Sequence, residues 1–138
     1  MLRSAALVAP VALAAAALAQ PAPAQDFTTA DEVRPILEMT RASWVAVREF
    51  DGQDLLYYTQ IAAWRCGIAS ASYVLDGAPE AEFEMEPCYD DTPQPNAIRG
   101  EPFLRLPLGS VQKIAVTVHY DDGTSDTAEF IRAQIAMN

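Results

Sequence analysis

The stretch WVAVREFDGQDLLYYTQIAAWRCG, from Trp44 to Gly67, holds both tryptophans, two of the five tyrosines and one of the two cysteines. Aromatic side chains at this density have two uses. Trp44, Tyr57, Tyr58 and Trp64 could line a binding face of the kind that takes carbohydrate, or they could fill the core of a small β domain. A binding face needs several rings exposed together, yet neighbours such as Tyr57 and Tyr58 point to opposite sides of a strand. Core is therefore the preferred expectation. Arg48 and Arg65 lie among the rings, where a guanidinium can grip a carboxylate or stack on an aromatic face. Glu49 points away from Arg48 on a strand and does not pair with it directly. The simpler expectation for both arginines is a solvated or ion-paired place on the surface.

The acids offer less. Glu80, Glu82, Glu84 and Glu86 recur at every second position and so share one face of an extended chain. Ca²⁺ takes oxygen ligands, but carboxylates strung along a strand do not converge on one ion. Asp121, Asp122 and Asp126 surround a turn without the spacing of an EF-hand loop. Asp90 and Asp91 sit close to Cys88. Ordinary solvated charge is expected at each cluster. His119, the only histidine, has no second histidine or nucleophile near it in sequence to build a catalytic or metal site. The chain has no G-x-S-x-G, no H-E-x-x-H and no Gly-rich phosphate loop. No catalytic, cofactor-binding or metal-binding residue is assigned, no cofactor is expected, and the chain does not read as an enzyme.

The first residues set the compartment. Arg3 precedes an uncharged, mostly apolar run from Ala5 to Ala19, and two small-residue sites follow, Ala17-Leu18-Ala19 and Ala22-Pro23-Ala24. That order reads as a secretory signal peptide over residues 1–24, cleaved after Ala24. The run is too short and too alanine-rich for a stable membrane span, which needs about 20 apolar residues. The expected location is periplasmic or secreted.

Of 138 residues, 9 are basic and 19 acidic, a net charge of −10; losing the leader removes Arg3 alone and makes it −11. So acidic a chain is repelled by phosphate backbones, and no nucleic-acid partner is expected. In an exported chain an even cysteine count points to a bridge. Cys66 and Cys88 are expected to form it, worth about 3 kcal/mol in the chain-entropy picture.

These residues need elements to hold them. Thr29 and Glu32 have capping-box spacing, and Val33, Ile36, Leu37 and Thr40 recur at helical intervals, so a short helix is expected from about Ala30 to Arg41. Strands are expected at Trp44–Phe50 and, across an Asp51-Gly52 turn, at Leu55–Cys66. The second of these also fits a buried helix, but its aromatic and β-branched content favours strand. Further strands are expected at Ile68–Leu75, within AEFEMEPC, at Phe103–Leu108 as a proline-flanked edge, within VQKIAVTVHY, and at Thr124–Arg132. The longest loop runs from Asp90 to Glu101 and is the first expected contact surface. About seven strands with regularly spaced turns suggest a sandwich or a small barrel.

The stretches IASASYVLDGAP and GSVQKIAVTVHYDDGTSDTAEF resemble immunoglobulin-like modules of exported bacterial proteins. WVAVREFDGQDLLYYT and WRCG look like a group of small exported bacterial proteins with no known activity. The resemblance implies a mainly β fold: a single immunoglobulin-like β-sandwich of about seven strands over residues 44–138, preceded by a short helix within 25–43. The cysteines depart from the antibody pattern, because 22 positions is too short a gap for a bridge between sheets of that type. Here the bridge would tie the end of a central strand to the start of the proline-rich loop. The function expected is a non-catalytic exported domain that binds an unidentified protein partner. The rival expectation is a small ligand-binding protein or extracytoplasmic enzyme with a site assembled from scattered residues.

Overall fold

The structure, a computed structural model, describes residues 2, 4–17 and 26–137. Residues 4–17 have no helix or strand and are exposed. Both expected cleavage sites run into residues outside those described. Among the described residues no helix is long and apolar enough to cross a membrane.

Helix α1 spans Ala30–Met39. Thr29 accepts the Glu32 amide and donates to the Glu32 carboxylate at 2.9 Å, and the same carboxylate accepts the Phe27 amide at 3.1 Å. Pro35 is tolerated inside the helix because it lies on the exposed side, where the Asp31 carbonyl it leaves free faces water. The opposite side buries Val33 and Leu37 completely. Trp44 closes the far end by donating its indole N–H to the Leu37 carbonyl at 2.9 Å.

Among the described residues seven strands form two antiparallel sheets. Strands β1 (Ala46–Phe50), β2 (Gln53–Tyr57) and β5 (Phe103–Pro107) form one, in the order β1-β2-β5. Strands β3 (Ile68–Leu75), β4 (Ala81–Glu82), β6 (Lys113–Tyr120) and β7 (Ser125–Ile131) form the other, in the order β4-β3-β6-β7. Asp51 and Gly52 both have positive φ, 53° and 71°, as a two-residue hairpin between β1 and β2 requires. β6 alternates as expected, with Ile114, Val116, Val118 and Tyr120 buried. Val47 and Leu56 from the first sheet share one core with Ala71, Phe83, Val116 and Val118 from the second, and with Val33 and Leu37 of α1. Two antiparallel sheets around a common interior are consistent with a β-sandwich.

Four expected strands are shorter than the sequence suggests. Trp44–Phe50 begins pairing only at Ala46, because Arg41–Ser43 is a 3₁₀ turn and Trp44 caps it. Leu55–Cys66 is a strand only as far as Tyr57. Tyr57 pairs with Ala46 on one side and Phe103 on the other, and both partners are the first residues of their strands. Past that point no strand remains to receive the backbone. The chain satisfies itself locally, with α2 at Thr59–Ala62 and a 3₁₀ turn at Arg65–Gly67. AEFEMEPC pairs only at Ala81–Glu82, with one further bond from the Phe83 amide to the Ala71 carbonyl at 2.9 Å. The last strand stops at Ile131, and α3 (Arg132–Ile135) follows and buries Ile135. Beyond it the Met137 amide bonds to the Val47 carbonyl at 2.8 Å, and Ala136 forms a parallel bridge with Val47.

Candidate functional site

Most of the polar groups singled out in the sequence hold the fold. Arg65 corrects the expectation of a surface place: it is only 5% exposed. Its guanidinium donates to six backbone carbonyls and to no carboxylate. Nε reaches Glu86 and Pro87 at 3.0 and 3.2 Å; Nη1 reaches Ala62 and Asn96 at 3.1 and 2.9 Å; Nη2 reaches Pro87, Pro95 and Ala97 at 2.9, 3.5 and 2.9 Å. The planar five-donor fork of arginine allows this, and an ammonium could not do it. The carbonyls of Glu86 and Pro87 are thereby satisfied without a ladder to β3.

Around Arg65 the chain is tied twice more. Cys66 and Cys88 form the expected disulfide, with Cα atoms 5.2 Å apart. The Asn96 side chain accepts the Cys66 amide and donates to the Phe27 carbonyl, both at 2.9 Å. Glu86 accepts the Tyr89 hydroxyl at 2.7 Å and the Arg99 amide at 2.9 Å, and these bonds, the tyrosine's first, hold its carboxyl below the usual range. The Asp90–Glu101 loop, the first expected contact surface, is thus largely occupied with bonds to its own body.

A second buried charge was not foreseen. Asp54, fully buried, meets Arg132 in a fork, with Nη1 to Oδ2 at 2.8 Å and Nη2 to Oδ1 at 3.0 Å. The Val111 amide adds a bond at 3.1 Å, and Glu49 takes the rim of the guanidinium at 3.0 Å. The Arg132 fork, with backbone amides behind it, lowers the Asp54 carboxyl to about 2 despite burial. Asp122 is also held at about 2, by the Thr124 hydroxyl and amide and then by Arg34, which pairs with it. Asp122 is therefore spent on the turn and on its junction with α1, and Asp126 accepts the Tyr120 hydroxyl at 2.8 Å. Glu82 and Glu84 remain exposed. His119 is half-buried, with Nδ1 3.3 Å from the Ser125 hydroxyl. Among the described residues no three histidine, cysteine or acidic side chains converge as a metal site would need.

The rings of the opening stretch divide. Trp44 and Tyr58 are buried in the core, and Tyr58 donates its hydroxyl to the Glu84 carbonyl at 2.7 Å. Trp64 is half-buried and meets Phe27 edge-on at 5.1 Å. Tyr57 points the other way.

That other side is the outer face of the three-stranded sheet. The Asp51-Gly52 hairpin sets Arg48 opposite Leu55, and β5 sets Arg105 on the far side of Leu55. The next row is Ala46, Tyr57 and Phe103. Leu55 is 3% exposed although it is not part of the shared core. On this face only its neighbours can cover it: Arg48 and Arg105 across the strands, Gln53 and Tyr57 along its own. The Arg48 guanidinium lies 4.8 Å from the Phe50 ring and that of Arg105 lies 5.2 Å from the Phe103 ring, while the Tyr57 and Phe103 rings are 5.0 Å apart. Phe50 is half exposed. Among the described residues Arg48 has no carboxylate partner, and Arg105 has only Glu101 at 3.9 Å, both of them well exposed. Arg34, Arg41 and Arg132 have acids at 3.5 Å or closer, while Arg99, off this face, stacks 3.8 Å from the Tyr89 ring and like Arg48 pairs with no acid among the described residues.

The sequence pointed to Arg48 and missed Arg105. The signal was present: Phe103, Arg105 and Pro107 alternate with Leu104 and Leu106, and a two-residue hairpin fixes which β2 residue faces Arg48. No family model matches this chain, and neither a curated protein nor a solved structure matches it.

Proposed function

We propose that the chain is an exported, immunoglobulin-like binding module without a catalytic role, and that it meets a partner protein through the outer face of its three-stranded sheet. The strand orders support the immunoglobulin-like part. Constant-type domains place strands one, two, five and four in one sheet and three, six and seven in the other. Here only the short fourth strand changes sides. The leader pattern and the disulfide support an oxidising compartment outside the cytoplasm.

The observation that carries the binding role is the Arg48–Leu55–Arg105 row, where among aromatic rings Arg48 has no acid partner and Arg105 has only the exposed Glu101 at 3.9 Å. Arginine, tyrosine and other aromatic residues are the types that concentrate where proteins touch. The enzyme alternative has weaker support. The cleft of about 690 Å³ between β1 and the C-terminal residues is lined by Arg48, Glu49 and Arg132, and of these Glu49 and Arg132 already bind each other.

Photocrosslinking in the exporting cell tests the proposal. A benzoylphenylalanine placed at Phe50 or Tyr57 should trap one discrete partner that the same probe at Thr117 or Glu129, on the other sheet, does not. Identical products from both sheets, or none from either, would overturn it.

A further inference from the structure

The two arginines of this face say more than that a partner exists. We infer that the outer face of β1, β2 and β5 recognises a protein segment carrying two carboxylates separated by an apolar side chain, an inference that rests on the binding role proposed above. Arg48 and Arg105 stand on strands two apart, so their backbones are about 10 Å from each other. Each guanidinium leans on a ring of its own strand. Arg48 leans towards Phe50, beyond the Asp51 end of the row, and Arg105 leans towards Phe103, at the opposite end. The two heads therefore diverge along a diagonal, to a separation of roughly 12–16 Å given strand spacing and rise. In an extended peptide, residues i and i+4 point the same way about 13 Å apart, and residue i+2 lies between them against the arginine stems and the Tyr57 ring that cover Leu55.

The charge arrangement selects this occupant. Arginine pairs with carboxylates through two parallel hydrogen bonds, and ring stacking holds each head in place before the partner arrives, which lowers the ordering cost. The rest of the molecule repels dense polyanions: the net charge is −10, and Glu101 lies at the edge of the face. A nucleic acid or an acidic polysaccharide brings many more charges than two arginines can match, whereas a peptide can confine its acids to the row. Strand addition at the β5 edge is disfavoured by Pro107, which lacks the N–H a ladder uses. The face measures on the order of 250 Å² from strand spacing and rise, far below the roughly 800 Å² per partner of a stable complex. Binding is expected to be weak and reversible.

The test uses the purified exported protein, isotope-labelled, titrated with a ten-residue peptide that carries glutamates at i and i+4 and leucine at i+2. Amide signals of Arg48, Leu55 and Arg105 should move, while those of Val116 and Thr127 stay fixed and report an intact fold. The Glu→Gln peptide should bind at least tenfold more weakly, and so should the acidic peptide to an Arg48→Ala/Arg105→Ala variant. An Arg48→Lys/Arg105→Lys variant should recover only part of the loss. Equal binding of both peptides, no movement at millimolar peptide, or tighter binding of polygalacturonate or an oligonucleotide would overturn the inference. If crosslinking finds a partner on this face but the two peptides bind alike, the carboxylate specificity falls and the binding role stands. If the acidic peptide binds but crosslinking finds nothing in the cell, the reverse holds.

Discussion

Asp54 and Arg132 show how a charge can sit in the interior of so small a domain. The carboxylate is buried, but a two-bond fork and the Val111 amide replace the water it gave up. Removing Asp54 leaves Arg132 with only the exposed Glu49 as a counter-charge, against a loss of about 3 kcal/mol where a buried charge is left with none. Asp54→Asn should therefore lower the urea midpoint at pH 7. The pH dependence has a definite sign. The folded-state value, about 2, lies below the unfolded value of about 3.9. The stabilisation is fully present above pH 5 and is lost as the pH falls towards 2. The gap between parent and variant should narrow across that window, and a gap that is absent at pH 7 or constant to pH 2.5 would refute the assignment. Neither buried charge was legible in the sequence. Asp54 and Arg65 look like surface residues because a sequence shows the cost of burying a charge but not its remedy, and Arg132 is 78 positions away. Tyr58 and Trp44 were legible as core, because their size and the short chain left few other places for them.

Among the elements, those fixed by local chemistry were readable. The α1 cap, the Asp51-Gly52 hairpin, the alternation of β6 and the proline-flanked β5 all appear close to where the residues put them. The region from Tyr58 to Gly67 was not, since a strand ends where its neighbours end, and those neighbours come from distant parts of the chain. Gly67 decides how α1 sits on this region. A Cβ there would lie 2.5 Å from both the Thr29 carbonyl oxygen and Val33 Cγ2. Gly67→Ala should push the helix away at a cost of about 1–3 kcal/mol, with faster hydrogen exchange at Val33–Leu37 and little change in β6. Unaltered exchange in α1 would show that the close seat is dispensable.

At the scale of the whole molecule, a mainly β fold of about seven strands and one bridge were legible from strand count, turns and cysteines, while the choice of a sandwich over a barrel came from the resemblance. The assignment of β4 to the second sheet was not, because only two of its residues pair. The Cys66–Cys88 bridge spans 22 positions around the Arg65 clamp, and reduction should lower stability by about 3 kcal/mol. Urea unfolding with and without a thiol reductant measures this; coincident curves would mean that Arg65 alone holds the loop in the reduced chain. The carbonyl cage has a last consequence. Arginine keeps its charge throughout the aqueous range, and amide oxygens have no proton to take up in mild acid, so the core of this anchorage is blind to acidity. A sour environment should therefore act on the corner where β2 meets the C-terminal helix through Asp54, and on the loop only through the bonds of Glu86, while the Arg65 cage itself keeps its grip.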